Sequence, residues 1–372
     1  MIKTIPRNHC VLTGADDLEH LYTFKNFPIY VGCVDPALPN EDLACDMKWG
    51  YSPSSGSIQL LELLDPNLLY REHHNPGTVG KIWKEHHKKF HDFIAKNGYN
   101  NVLEIGGASG SLLQHFLPHE KDFNWTIVEP SDQKFTDDSR VHYIPEFFEE
   151  YDFNKKYDTL VHSHLFEHVY DPIKFLTKVN GLLKNNGKHY ITLPNMKHWL
   201  DQGYTNTLLF EHTFFVDDEI LEYLLNKTGF EVIEKVIEPH SIFVCCKKKK
   251  DVVAGEAKFF LPKMLFSKYT DNLERDLANI LDQIKDSKVY LFGGHIFSQV
   301  LLNLGLPESQ VVNILDNDPG KQEKRLYGSN LIVKSPKCLE GLENPIIILR
   351  GGTYTEEIKE SILAINPSAR II

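Results

Sequence analysis

The sequence predicts an α/β protein in which two Rossmann-like units with mostly parallel sheets follow a small, loop-rich N-terminal unit. Three observations carry that prediction. From residue 100 onward, short apolar runs alternate with stretches of helical periodicity, as in strand–helix–strand chains with a parallel sheet. The first of those runs ends in a glycine-rich turn, Gly106-Gly107-Ala108-Ser109-Gly110, and a later one ends in Gly293-Gly294. Residues 1–75, by contrast, are rich in Pro, Gly, Asp and Asn and hold only short apolar pieces such as Ile29-Tyr30-Val31 and Ile58-Gln59-Leu60-Leu61.

Taken in order, residues 79–97 place Val79, Ile82, Trp83, Phe90, Phe93 and Ile94 at helical spacing, and Asn97-Gly98 supplies a stop. Val102 to Ile105 reads as a strand, and Ser111 to Phe116 as the start of a helix. Thr126 to Val128 and Thr159 to Val161 read as strands, Pro172 to Leu183 as a helix, and His189 to Leu193 as a strand after a turn at Leu182 to Lys188. A helix over Asp217 to Thr228 ends at Gly229, and Phe230 to Val236 and Ser241 to Cys246 are two more apolar segments. The four lysines Lys247 to Lys250 read as a solvated end where a linker begins. Beyond them come an amphipathic helix over 265–285, a strand at Val289 to Phe292, a helix at Ile296 to Leu304, and strands at Val311 to Leu315 and Ile346 to Leu349. The units are therefore expected at 1–75, 76–250 and 251–372.

Composition limits the function classes. Apolar residues make up 42% and charged residues 24%, which excludes wholesale disorder. The net charge of −11 lacks the basic footprint of a nucleic-acid binder. Apolar runs such as Pro345 to Leu349 fall far short of the ~20 residues that span a bilayer. MIKTIPRNHC has no apolar signal core, and the six cysteines form no CxxC pair, so a cytoplasmic protein with reduced thiols is expected, a monomer or small homo-oligomer.

The glycine turn carries the sharpest chemistry. Glycines let backbone approach a ligand closely and tolerate positive φ, and a helix start behind them offers free N–H groups. The GxGxxG of a dinucleotide fold is absent; Glu104 stands two positions before Gly106, and Gly107 and Gly110 complete the turn. This Acid-x-Gly-x-x-x-Gly pattern resembles the loop of class I S-adenosylmethionine (SAM) methyltransferases. Asn124-Trp125-Thr126-Ile127-Val128-Glu129 ends in an acid 19 residues after Gly110, where a carboxylate can accept both ribose hydroxyls. Tyr157 to Val161, Leu165-Phe166-Glu167-His168-Val169-Tyr170-Asp171-Pro172 and Leu182 to Lys188 resemble later segments of the same superfamily. The resemblance implies SAM as cofactor, held by Glu104, Gly106, Gly107, Gly110, Glu129 and His164.

The flanks narrow the resemblance. Trp49 to Tyr70, with Gln59-Leu60, and Leu315-Asp316-Asn317-Asp318-Pro319-Gly320-Lys321-Gln322 behind Gly293-Gly294-His295 resemble the three-part family of nucleotide-sugar C-methyltransferases. That family holds a structural zinc on two CxxC pairs. Here Cys10 survives, while Thr13, Ser52 and Ser55 stand where its companions would be, and hydroxyls are poor zinc ligands beside thiolates. No metal is therefore expected; Cys33 and Cys45 read as unligated thiols, with an alternative metal site completed by a histidine as the second reading.

Leu209-Phe210-Glu211-His212-Thr213-Phe214-Phe215 resembles the family's Y-x-E-H-x-x-Y/F segment, which implies Glu211 and His212 as the proton-abstracting pair. A histidine titrates near neutrality, and a neighbouring carboxylate orients it. The family's tyrosine is Leu209 here, and another falls where the chain reads Arg71-Glu72-His73-His74-Asn75-Pro76. Fewer donors for an enolate favour methylation of a sugar hydroxyl over that of a keto-sugar carbon. His73, His74, His86 and His87 are further candidates for the sugar pocket. Two readings from other classes are a nicotinamide oxidoreductase, disfavoured by the missing GxG spacing, and a non-catalytic binding protein, disfavoured by the intact Glu211 and His212.

Overall fold

The structure is a computed structural model that describes residues 2–37, 42–69, 81–107, 110–117, 124–131, 134–249 and 255–372. His73, His74 and the expected unit boundaries near 75 and 250 lie outside the described residues, as do Ala108 and Ser109 of the glycine turn.

The chain opens with six strands, β1 (Thr4–Pro6), β2 (Glu19–Pro28), β3 (Cys33–Val34), β4 (Ala44–Tyr51), β5 (Ile58–Leu60) and β6 (Glu62–Leu64), and the short helix α1 (Pro66–Leu69). β2, β4 and β5 form an antiparallel sheet, and β1 pairs with β6. Helix α2 (Lys81–Asn97) leads to β7 (Val102–Ile105), β8 (Trp125–Val128), β9 (Val141–Ile144) and β10 (Tyr157–Ser163). Then come α3 (Pro172–Leu182), β11 (Leu183–Pro194), α4 (Met196–Asp201), α5 (Asp218–Lys227), β12 (Phe230–Ile237) and β13 (Ser241–Lys248).

These seven strands make one sheet in the order β12-β13-β11-β10-β7-β8-β9, with β13 antiparallel to both its neighbours and the remaining pairs parallel. The inner strands β7 and β8 are buried along their whole length, so they read as near-continuous apolar runs, while the edge strands β9 and β12 are partly exposed. Caps fix the helices: Asp171 accepts from the Lys174 amide ahead of Pro172, and Asp217 accepts from the Glu219 and Ile220 amides. The chain runs outward from β7 to β9 and returns beside β7 as β10. That reversal makes the carboxyl ends of β7 and β10 a topological switch point, and the crevice at such a point is where open α/β sheets take their ligands.

Two local expectations change. Ser111 to Phe116 does not start a regular helix: it holds one 3₁₀ turn at Leu113–His115, with Leu113 and Phe116 buried against Trp125. The stretch Leu182 to Lys188 is mostly strand, because β11 begins at the buried Leu183, which pairs with Tyr157 before the register shifts.

The remaining elements are α6 (Leu261–Ile284), β14 (Val289–Phe292), α7 (Ile296–Leu304), β15 (Val311–Leu315), β16 (Arg325–Leu326), β17 (Val333–Lys334), β18 (Ile346–Leu349), α8 (Thr355–Ile365) and β19 (Arg370–Ile371). A second, all-parallel sheet runs β17-β15-β14-β18-β19. It is tied to the N-terminal strands by the β3–β16 pairing and by Arg325, whose Nη2 donates to Asp42 Oδ1 at 2.9 Å. One buried apolar cluster includes Phe27, Trp49, Leu103, Phe175, Phe214, Phe266 and Val300, so all three parts of the chain share a core. Among the described residues no helix is long and apolar enough to cross a membrane.

Candidate active site

The glycine turn sits at the carboxyl end of β7. Gly106 has φ +70°, and its amide donates to the Val128 carbonyl at 2.9 Å, which ties the turn to the end of β8. A Cβ on Gly106 would stand 2.5 Å from Leu165 Cδ1, and one on Gly107 would stand 2.8 Å from Ile127 Cγ2. Gly107 is hemmed in by Ile127 and Glu104, while at Gly106, where the tip of Leu165 can swing away, it is the left-handed backbone that calls for glycine. Gly106→Ala should therefore weaken SAM binding at least roughly tenfold by calorimetry, through strain and displacement of the turn. Unchanged affinity would remove the turn from the binding site.

Glu104 packs against the turn: a Cβ on Gly107 would stand 3.0 Å from its Cδ. It is buried, its Oε2 accepts from the Trp125 indole N–H at 2.7 Å, and burial raises its pKa to about 7. Glu129 stands at the carboxyl end of β8, half-buried, with its amide on the Ile144 carbonyl. His164 follows β10 directly; its backbone adopts φ +47°, and its Nε2 lies 2.8 Å from Ser241 Oγ.

Across the crevice the structure gathers two Glu–His pairs. Glu167 and His168 form a 3₁₀ turn after β10, and Glu211 and His212 precede α5. His168 stands between both carboxylates, its own neighbour's and that of the other pair. Glu211 Oε2 lies 3.7 Å from His168 Nδ1, Glu167 Oε1 lies 3.6 Å from His168 Nε2, and the His168 and His212 rings meet edge-to-face at 5.3 Å. His212 Nδ1 lies 2.7 Å from the Thr207 carbonyl. A carbonyl only accepts, so Nδ1 carries the proton and Nε2 is the basic nitrogen. Burial, then His168, pushes His212 down to about 4, and burial raises Glu167 to about 7. The Glu167-His168 pair, the same dipeptide as Glu211-His212, was readable as a repeat but carries no role in the sequence reading above.

Arg7, from the N-terminal unit, clamps both segments. Its Nη1 donates to the Thr213 carbonyl at 2.6 Å and its Nη2 to the Tyr170 carbonyl at 2.5 Å. Burial lowers this guanidinium to about 10. The Thr213 amide donates to the Glu167 carbonyl at 2.9 Å, and the Thr213 hydroxyl to the Val169 carbonyl at 2.5 Å. Residues 213–215 also extend the N-terminal sheet: the Leu60 amide donates to the Thr213 carbonyl and the Phe215 amide to the Ile58 carbonyl. No sequence motif announces Arg7, because its partners are mainly backbone atoms distant in the chain.

The serine-substituted position in the N-terminal unit is also assembled. Cys10 Sγ lies 3.2 Å from Ser55 Oγ, Ser55 donates to Ser52 at 3.0 Å, and Ser52 donates to Asp17 at 2.8 Å. One thiol and two alcohols already engaged with each other do not fit a structural zinc. Cys33 donates to the Gly294 carbonyl at 3.1 Å. The Gly294 amide in turn donates to Asp316 Oδ2 at 2.8 Å, and Lys321 Nζ lies 3.2 Å from the same oxygen. The glycine turn and the acid that a dinucleotide would need in the second sheet are therefore spent on each other, and Cys33 covers them. His86 and His87 sit buried on α2 against Trp83.

Residues 73–235 match a protein family described as a methyltransferase domain. A malonyl-[acyl-carrier protein] O-methyltransferase of Ilyobacter polytropus is 30% identical over 95 residues, 24% of this chain and 35% of the relative. The chain thus spans about a third of the length of the curated relative it matches. A SAM-dependent methyltransferase from Clostridium acetobutylicum shares 15% identity over 44% of this chain and 92% of its own, with a TM-score of 0.35. A glycopeptide N-methyltransferase solved with SAM shares 14% over 44% and 93%, with a TM-score of 0.36. The family match spans β7 to β11 and most of β12 of the seven-stranded sheet, so this part of the chain is similar to a methyltransferase domain.

Proposed function

We propose that the chain is a SAM-dependent methyltransferase whose acceptor is a nucleotide-activated sugar, with a sugar hydroxyl favoured as the methylated group. The Glu167–His168–Glu211–His212 cluster, set across the crevice from the glycine turn, is the observation that supports this reading most. Gly106, Gly107, Gly110, Glu129 and His164 would hold SAM, which when bound supplies a methyl group on a sulfonium; Glu104 packs against the turn. His212 Nε2 takes the hydroxyl proton as the acceptor oxygen gains the methyl carbon. His168, between two carboxylates, shares the positive charge that results. The division at 1–75, 76–250 and 251–372 belongs to the same reading, with the outer units enclosing the nucleotide. Leu209 is buried in the core and supplies no oxyanion donor, which favours oxygen over carbon.

Incubation with SAM and a panel of nucleotide sugars, read by mass spectrometry, tests the reading. One sugar should gain a methylene, and NMR of the product should place it on oxygen. Methyl transfer to a different acceptor class with every sugar nucleotide untouched would replace the reading.

The cluster also sets a pH dependence. Glu167, raised to about 7, is protonated below that pH and ionised above it, where it can hold a charged His168 or His212. His212 stays neutral throughout this window. kcat should therefore rise with pH through about 7 to a plateau, as one macroscopic step of the coupled cluster. Glu167→Gln should remove that inflection; a variant profile identical to the parent's would assign the step elsewhere.

A further inference from the structure

A second histidine cluster lies beside the crevice: His86 and His240 take no part in the chemistry above, and they are joined by His164, assigned above to the SAM site, whose Nδ1 also lies 3.8 Å from Glu167 Oε1. His86 comes from α2, His164 follows β10, and His240 sits in the hairpin between β12 and β13. We infer that these three residues form a binding site for one zinc-class divalent ion, separate from the serine-filled position in the N-terminal unit. This inference does not rest on the methyltransferase reading.

The three imidazoles already converge on one point. His86 Nδ1, His164 Nε2 and His240 Nδ1 lie 3.1, 2.8 and 2.6 Å from the single hydroxyl oxygen of Ser241. A serine hydroxyl donates once and accepts twice, so it satisfies three ring nitrogens at the vertex that an ion would otherwise hold. The ring centroids are 4.9 Å (His86–His164), 5.4 Å (His86–His240) and 5.5 Å (His164–His240) apart. A tetrahedral zinc about 2.0–2.1 Å from each ring nitrogen holds imidazole centroids roughly 5.2 Å apart. The spacing of the rings is thus that of a three-histidine metal site, and their ligand atoms lie within 4.8 Å of one another.

Two further features suit a ligand set. Trp83 packs edge-on against all three rings at 5.2, 4.8 and 5.0 Å, which fixes their orientation and shields one side. His164 keeps a left-handed backbone at φ +47°, a conformation that costs energy in a residue with a side chain and aims this ring at the other two. Burial holds all three imidazoles below their ordinary pKa, so they are neutral donors near pH 7. A tautomer change frees each converging nitrogen without loss of a proton; for His86 the displaced hydrogen finds Ser163 Oγ at 3.4 Å. Three neutral nitrogens select zinc, cobalt, nickel or copper over magnesium or calcium. The ion would pin α2 and the β12–β13 hairpin to the end of β10, beside the Lys89–Glu238 ion pair that already joins α2 to the hairpin at 2.7 Å.

The test is addition of Zn²⁺ alone, and of Co²⁺ as its spectroscopic stand-in, to the metal-free full chain. One ion per chain should bind with Kd of about 1 µM or tighter, with a four-coordinate Co²⁺ band in the visible and a raised Tm on zinc addition. His86→Asn and His240→Gln should each weaken binding at least roughly 100-fold. Ser241→Ala, which breaks the hydrogen-bond network but removes no ligand, should bind the ion at least as tightly as the parent. Absence of the cobalt band, or binding unchanged in both histidine variants and therefore seated on Glu167, His168 and His212, would overturn the inference. Loss of binding in Ser241→Ala to the extent seen in the histidine variants would overturn it as well.

Discussion

His212→Ala should lower kcat for methyl transfer by roughly 10²- to 10⁴-fold, the range a positioned general base contributes, while SAM affinity stays within about twofold. His212 is the member of the cluster whose tautomer is fixed, since Nδ1 is committed to the Thr207 carbonyl and leaves Nε2 basic. It is also buried, so no bulk base reaches the same position. Glu211→Gln should be milder: Glu211 faces His168 rather than its own neighbour, and acts by offsetting the positive charge that the proton brings to the histidines. Product formation at saturating SAM separates the two. Equal losses in both variants would mean that they act as one unit, and a His212→Ala enzyme of parental kcat would move the base elsewhere.

Arg7→Met should destabilise the protein by about 2–5 kcal/mol and depress kcat together with it. Methionine matches the volume of the side chain, so the loss comes from the half-buried carbonyls of Tyr170 and Thr213, which would each lose a charged donor, Thr213 keeping only the Leu60 amide. Those carbonyls flank the two Glu–His segments, and their release lets the two segments drift apart. Arg7→Lys keeps the charge but cannot span both carbonyls with a planar fork, and should recover less than half of the stability. Urea unfolding followed by fluorescence, with kcat measured in parallel, checks both effects. A methionine variant of parental stability and kcat would show that the clamp is dispensable.

Much of the architecture was legible because it is written in local pattern. Apolar runs of four to five residues mark the strands, as in Val102–Ile105 and Val311–Leu315. Asp217 and Gly229 bracket α5 where capping chemistry says they should. The stretch after Gly110 misled because Leu112, Leu113 and Phe116 are buried as a helix face would be, yet they are anchored by Trp125 in a tighter turn. At the site, the sequence pointed to Glu211 and His212 through their neighbours in the chain. Glu211 instead faces His168, 43 residues earlier, because two separate loops meet beyond the carboxyl end of β10 in the middle of the sheet. Arg7 and the His86–His164–His240 group were invisible for the same reason: each is a product of topology, with no spacing of its own.

The seam between β5 and residues 213–215 bears on how the chain is made. Leu60 and Ile58 complete their hydrogen bonding with Thr213 and Phe215, which leave the ribosome long after them. The N-terminal strands must therefore wait as an unfinished sheet edge while the central domain is synthesised. Such long-range pairing slows folding and exposes apolar surface in the interval. The same seam forbids modular exchange: a methyltransferase domain excised from this chain would carry Phe214 and Phe215, both fully buried here, with one wall of their enclosure missing.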